Sequence, residues 1–206
     1  MKLYGYWRSL AAFRVRIALN LKGLPFDVES LDLVKGDQFS DAYREINPQM
    51  VVPALVDGDL VLTQSMAILE YLEDLHPEPS LLPADPADRA RVRSICLISV
   101  ADTHPLVVPR IRKYVTQELG HSEEELTAWI QNWLTAGLAA IEENLANNPA
   151  TGTYCHGGCL SKLRPWLAIC CDADTKSLCR PKNQLIEIVP SSTKVSRNLS
   201  QDSWSR

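Results

Sequence analysis

Residues 51–66 read Val51-Val52-Pro53-Ala54-Leu55-Val56-Asp57-Gly58-Asp59-Leu60-Val61-Leu62-Thr63-Gln64-Ser65-Met66. Two short β-rich runs, Ala54-Leu55-Val56 and Leu60-Val61-Leu62, flank Asp57-Gly58-Asp59. Asp-Gly between apolar runs is a strong hairpin signal, because glycine supplies the positive φ of a tight turn. Ser65 can then cap a helix over Met66–Leu75, with Ile68, Leu69, Leu72 and Leu75 as its apolar stripe. A hairpin covered by a helix is the expectation for this stretch.

Upstream, Lys2–Trp7 reads as a short strand in which Leu3 alternates with Tyr4 and Tyr6. Phe13, Ile17 and Leu21 then fall at helical spacing, with Val15 and Ala18 beside them and Arg14 and Arg16 outside the stripe. Gly23 and Pro25 come in the order expected of a helix stop. Phe26–Leu33 suits a second strand, and residues 39–46 suggest a loosely defined helix. A parallel βα unit, followed by an antiparallel hairpin and a covering helix, is a thioredoxin-like arrangement. Residues 76–86, rich in proline, read as a linker. Beyond them the texture is helical: Asp85-Pro86 is a helix start with proline at the first position, and Ser122-x-x-Glu125 is a capping box. Leu126, Trp129, Ile130, Trp133, Gly137, Leu138, Ile141 and Leu145 follow as one stripe. On spacing, the two tryptophans are core residues first and ligand-stacking residues second.

A chain of 206 residues fits one large domain or two small ones, and its 46% apolar and 22% charged residues allow a buried core. A net charge of −4 argues against nucleic acid or a membrane surface as the partner. No apolar run is long enough to span a bilayer, and Arg8, Arg14 and Arg16 interrupt any secretion signal, so a cytoplasmic protein is expected. Cys96 stands alone, whereas Cys155, Cys159, Cys170, Cys171 and Cys179 crowd together late in the chain. Reduced, non-catalytic thiols are the plain reading. Cys155, His156 and Cys159 lack a clean second ligand pair, so no metal is expected.

The junction of the first strand and helix reads Trp7-Arg8-Ser9-Leu10-Ala11-Ala12-Phe13-Arg14. A hydroxyl at Ser9 sits before a helix N-terminus, where free backbone N–H groups favour an anion. A thiolate is such an anion, and a hydroxyl donor with the helix dipole lowers its pKa; an ordinary N-cap remains the alternative. Pro53, entering a strand from a loop, can adopt a cis bond that exposes the backbone of Val52 to a peptide ligand. At Gln64-Ser65, a side-chain amide, a hydroxyl and the free N–H groups of a helix start can hold a carboxylate.

The chain resembles the zeta-class glutathione transferases, the class that includes maleylacetoacetate isomerase. The resemblance rests on Leu3-Tyr4-Gly5-Tyr6-Trp7-Arg8-Ser9, on Arg14 through Gly23, on Asn47-Pro48, on Val52-Pro53-Ala54-Leu55 and on Gln64-Ser65-Met66-Ala67-Ile68. Leu81-Leu82-Pro83-Ala84-Asp85 and Ile141-Glu142 continue it, to about residue 157. It implies an α/β thioredoxin-like N-terminal domain plus an all-α C-terminal domain: a glutathione-binding unit at 1–80 and a helical substrate-side unit at 86–157. It also implies a homodimer. Ser9 matches the family's thiol-activating serine, Val52 its backbone contact to the cysteinyl part of glutathione, and Gln64 with Ser65 its grip on the γ-glutamyl carboxylate. His104 joins Val52, Gln64 and Ser65 as an implied glutathione-binding residue, falling where the family has a polar side chain at the inter-subunit cleft, though beside Pro105 it also reads as a helix-kink residue. Arg8 and Arg110, with His104, are candidates for the substrate carboxylates; solvated surface guanidinium groups are the alternative for the two arginines. Where the family often has Ser-Ser-Cys, this chain has Ser9-Leu10-Ala11, so a second serine and a cysteine are absent.

The implied reaction converts maleylacetoacetate to fumarylacetoacetate in tyrosine and phenylalanine breakdown. Glutathione adds to the cis double bond, the resulting single bond rotates, and elimination leaves a trans bond with glutathione regenerated. Maleylpyruvate isomerisation and general glutathione conjugation use the same activated thiol. A non-catalytic glutathione-binding protein, or an inactive product, is the reading of another class.

The resemblance stops after Tyr154-Cys155-His156-Gly157. The family expects Asp and a Ser/Thr-x-x-Asp capping sequence opening a buried helix, but the chain reads Gly158-Cys159-Leu160-Ser161-Lys162-Leu163-Arg164-Pro165. Residues 1–157 carry 13 Lys+Arg against 21 Asp+Glu, whereas residues 158–206 carry 8 against 4, so the charge flips where the pattern breaks. A frame-shifted or replaced C-terminus, poorly ordered over 158–206, is the expectation. A missing core helix would leave the Trp129/Trp133 stripe uncovered and the fold marginally stable.

Overall fold

The computed structural model describes residues 1–152 together with Cys155 and His156. The expectations for residues 158–206, and those for Cys159, Cys170, Cys171 and Cys179, lie outside the described residues.

A four-stranded sheet of order β2-β1-β3-β4 forms from β1 (Lys2–Gly5), β2 (Asp27–Ser30), β3 (Ala54–Asp57) and β4 (Leu60–Thr63). β1 pairs with β2 in parallel, crossing over through α1 (Leu10–Leu21). β3 is antiparallel to both β1 and β4. The hairpin turn is the two-residue Gly58-Asp59, with Gly58 at φ 59, the left-handed region that glycine enters without a Cβ clash. α2 (Asp41–Ile46) lies between β2 and β3, capped by Ser40. α3 (Ser65–Leu75) follows the hairpin and packs on α1. The element order is that of a thioredoxin-like unit.

The helical part comprises α4 (Pro86–Leu97), a wide π-helical stretch at Ile98–Thr103, a 3-10 turn at His104–Leu106, α5 (Pro109–Lys113), a second π-helical stretch at Tyr114–Glu118 and α6 (Glu123–Ala146). Both expected helix starts are present. The Asp85 carboxylate accepts from the Ala87 and Asp88 N–H groups at 2.8 and 3.1 Å. Ser122 and Glu125 close their reciprocal box at 3.2 and 2.9 Å. α6 crosses Ile98–Thr103 at Gly137, where a β-carbon would overlap Thr103 Oγ1 and lie 3.0 Å from its Cβ and Cγ2. No helix among the described residues is long and apolar enough to cross a membrane.

Several sequence expectations need correcting. The buried face of α1 is Ala12, Arg14, Val15, Ala18 and Leu19, not the Phe13–Ile17–Leu21 stripe. Phe13 is partly exposed, with the Arg16 guanidinium 5.5 Å from its ring centre. The reason is geometric: α1 packs along α3, and its buried arc includes Arg14, which reaches Ser65 of that helix. Leu75, read as part of the α3 stripe, is half exposed, and Glu73 is buried instead. The tryptophan pair is not core: Trp129 is 37% exposed and Trp133 half-buried, their rings meeting edge-on at 5.8 Å. Trp129 Nε1 donates to the Leu106 carbonyl at 2.8 Å, so the indole lies along the surface with its polar edge satisfied.

The segment read as a linker is pinned rather than free. Lys22 and Glu73, both buried, pair at 2.8 Å. Lys22 Nζ also donates to the carbonyls of His76 and Pro79. The Glu73 carboxylate accepts from the N–H groups of Leu81 and Leu82 and from Ser80 Oγ. Leu81 and Leu82 are thereby held in one apolar cluster with Leu3, Val15, Leu19, Leu55, Ile68, Leu72, Val92 and Ile95. One core thus runs from the sheet into α4.

Burial pushes the Glu73 carboxyl up, but the Lys22 bond and the donors at Leu81, Ser80 and Leu82 outweigh it and hold the group below its ordinary value of 4.5. A depressed folded pKa contributes stability that is complete above the ordinary value and is lost as pH falls through the folded one. Glu73→Gln leaves Lys22 buried without an anion and should cost about 3–5 kcal/mol at neutral pH. Urea titrations should show this gap to wild type narrowing as pH drops below 4.5; a gap independent of pH would contradict the assignment. Gly137→Ala should lower the urea midpoint by an amount equivalent to about 1–3 kcal/mol, through overpacking against Thr103.

Candidate functional site

In the sheet, Tyr4 stands opposite Ala54, and Ala54 opposite Thr63. β1 leaves this row toward Ser9, β3 enters it from Val52-Pro53, and β4 leaves it toward Gln64-Ser65. The register therefore delivers three separate segments to one end of the sheet, the end at which β1 runs out into α1.

Ser9 is the N-cap of α1: its Oγ accepts from the Ala12 N–H at 3.2 Å, and its own N–H donates to the Tyr6 carbonyl at 3.0 Å. The capping reading is therefore realised. It does not compete with the chemical one, because accepting a hydrogen bond uses a lone pair and leaves the O–H proton to donate elsewhere. Leu10 and Ala11, the departures from the family's Ser-Ser-Cys, are half-buried in the first turn of α1.

The Val52–Pro53 bond is cis. The preceding carbonyl, that of Val51, is held by two donors, Tyr43 Oη at 2.7 Å and Asn47 Nδ2 at 2.6 Å. In the sequence Asn47 is marked only by the Asn47-Pro48 pair, and Tyr43 is unmarked. Tyr43 is buried, and burial pushes its phenol above the ordinary value, so it remains a donor at neutral pH.

Gln64, not Ser65, is the N-cap of α3, and its side chain makes no capping bond. It adopts φ 66, a conformation costly for a residue with a Cβ and concentrated at ligand-binding positions. Its amide Nε2 donates to Gln49 Oε1 at 2.6 Å. Ser65 lies inside the first turn of α3 and is buried. Its hydroxyl oxygen accepts a hydrogen bond from Arg14 Nη1. Arg14 is only 1% exposed, and burial lowers its pKa to about 10, so it stays charged at neutral pH.

The remaining candidates are Arg8, His104 and Arg110. Arg8 is exposed beside Ser9, its guanidinium 5.6 Å from the Trp7 ring centre, and Trp7 itself is 67% exposed. His104 opens the tight turn after Ile98–Thr103 and is half-buried, so the chain does change helical pitch where the kink was read. Arg110 and Lys113 are exposed on α5, and Arg112 between them is half-buried. Among the described residues no group of three His, Cys, Asp or Glu side chains is placed to hold a metal ion. Cys96 and Cys155 are buried free thiols, and burial pushes the Cys155 thiol up to about 11.

A mixed sheet of this order, with a helix start, a cis-proline loop and a second helix start gathered at one end, is a thioredoxin-like domain. The family model described as "Glutathione S-transferase, N-terminal domain" matches residues 1–74. A maleylpyruvate isomerase from a Ralstonia species is 45% identical over 157 residues, covering 76% of this chain and 74% of that protein. The solved holo structure of a maleylpyruvate isomerase, a bacterial zeta-class glutathione transferase, superposes with a TM-score of 0.76 at 43% identity, covering 81% of each chain. The maleylacetoacetate isomerase of Methylobacterium extorquens AM1, solved with malonate and GSH bound, superposes with a TM-score of 0.78 at 46% identity, covering 81% of this chain and 78% of that one. The chain belongs to the zeta-class glutathione transferase and maleylacetoacetate isomerase family.

Replacing Ser9 measures its cap. Ser9→Ala should cost about 1 kcal/mol of stability through the lost cap, whereas Ser9→Asp, a strong capping residue, should restore it. Urea midpoints measure both.

Proposed function

We propose that this protein is a glutathione-dependent cis-trans isomerase of maleyl keto acids, converting maleylacetoacetate to fumarylacetoacetate in tyrosine and phenylalanine breakdown. It acts on a small dicarboxylic keto acid as a homodimer, as the family resemblance implies, and in the cytoplasm. The observation that carries the reading is the row Tyr4–Ala54–Thr63, which brings Ser9, Val52 and Gln64-Ser65 to one end of the sheet.

The donor set suits glutathione. The start of α3 presents the backbone N–H groups of Ser65, Met66 and Ala67, which precede the first helical bond from Ile68 N–H to the Gln64 carbonyl. Such a start, with the Gln64 amide and Ser65 hydroxyl, receives the γ-glutamyl carboxylate. The Val52 backbone, fixed by the hold of Tyr43 and Asn47 on the adjoining carbonyl, receives the cysteinyl part. When bound, glutathione supplies the sulfur nucleophile that adds reversibly to the maleyl double bond. Ser9 donates a hydrogen bond from its hydroxyl to the sulfur anion and keeps its proton, helped by the partial positive charge at the start of α1. Arg8, His104 and Arg110 supply cationic or polar partners for the substrate carboxylates. Maleylpyruvate is the alternative substrate, and general conjugation to electrophiles the alternative reaction. Glutathione binding without turnover is the second reading, favoured by the break in the family pattern after Gly157.

The test is glutathione-dependent loss of the maleyl chromophore, run with maleylacetoacetate and maleylpyruvate in parallel. Ser9→Ala and Ser9→Asp should each lower kcat by about 10²–10³, the cost of one preorganised donor, although Asp keeps the fold. Full activity in both variants would refute the role of Ser9. Retention on glutathione resin without turnover of either substrate would establish the second reading.

A further inference from the structure

We infer that Arg14 is a positioning residue for the γ-glutamyl carboxylate of glutathione, orienting the Ser65 hydroxyl and setting a fixed positive charge behind the start of α3. The inference rests on the proposed glutathione site and adds to it a residue that touches no ligand.

Three observations carry it. Arg14 is 1% exposed and lies on α1, one helix away from the site it serves. Its Nη1 donates to Ser65 Oγ in the first turn of an eleven-residue helix. Among the described residues its Nε and Nη2 are buried without a hydrogen-bond partner, and no carboxylate is bonded to it. A buried cation lacking its own anion is costly to keep, and such groups are ordinarily paired. The cost is offset if the balancing charge arrives with a ligand, and the nearest place built to accept one is the helix start that Arg14 touches through Ser65. The bond also has a direction. Because the Ser65 oxygen accepts from the guanidinium, its own proton is left to donate outward, toward an anion at the helix start.

Arg14 would then favour ligands that carry this carboxylate over ligands that lack it. The experiment compares glutathione with 4-aminobutyryl-cysteinyl-glycine, the same tripeptide without the γ-glutamyl α-carboxylate, by calorimetric titration of the full chain. Wild type should prefer glutathione strongly. Arg14→Met should weaken glutathione binding about ten- to a hundredfold, the loss expected for a hydrogen bond to a charged group, and leave binding of the analogue unchanged. KM for glutathione should rise in step while kcat at saturation holds. In a Ser65→Ala background the effect of Arg14→Met should shrink. If Arg14→Met does not accumulate folded, Arg14→Gln, which keeps a donor but no charge, carries the same comparison. A purely structural arginine would weaken both ligands alike, and that result overturns the inference while leaving the glutathione site standing. Failure of the wild-type chain to bind glutathione at all overturns the site and the inference together.

Discussion

Tyr4, Ala54 and Thr63 sit side by side in three neighbouring strands, and every functional proposal here depends on that register. Strand side chains alternate faces, so a slip of one residue in β3 would turn Ala54 and Leu55 to the wrong sides and break the core with Leu3. The same slip would carry Val52 away from the level of Ser9. Folding stability and site assembly therefore rest on one set of backbone bonds. The apolar cluster that enforces the register, Leu3, Val15, Leu19, Leu55 and Ile68, lies beneath the site without taking part in it.

Charge is handled differently at two places in the core. Lys22 and Glu73 form a complete buried network: the cation has carboxylate and carbonyl partners, and the carboxylate has a cation, two backbone N–H groups and a hydroxyl. That closure is why the proline-rich segment after α3 is packed, and why α4 shares the core of the sheet. Arg14, on α1 itself, has a single hydroxyl partner among the described residues. A closed network stabilises, whereas an open one stores a field. The open one adjoins the helix start whose free N–H groups suit an anion.

Much of the fold could be read from the chain because its signals are local. Asp57-Gly58-Asp59 between apolar runs produced a two-residue turn, Asp85-Pro86 and Ser122/Glu125 produced capped helix starts, and the βα-hairpin-helix order gave the strand topology. Ser9, Val52 and Gln64-Ser65 were legible for the same reason: each is the end of a segment, and ends are marked by hydroxyls, prolines and breaks in periodicity. The misreadings share the opposite cause. Arg14 was set aside as polar, Ser65 was read as a cap, and Trp129 and Trp133 were read as core, because in each case the deciding neighbour is remote in sequence. Arg14 and Ser65 are 51 positions apart, and Trp129 bonds a carbonyl 23 positions away.

The sequence by itself determined the element order, the turn and cap chemistry, the family, and the hydroxyl at the start of α1, since these follow from spacing and side-chain type within a few residues. Only the tertiary structure decided which face of α1 is buried, that Glu73 and Lys22 close over the segment after α3, that Tyr43 and Asn47 hold the carbonyl before the cis-proline bond, and that Ser65 faces a buried cation. Packing is the physical reason. A helix with two apolar neighbours must choose an orientation that satisfies both, and a local pattern does not contain that choice.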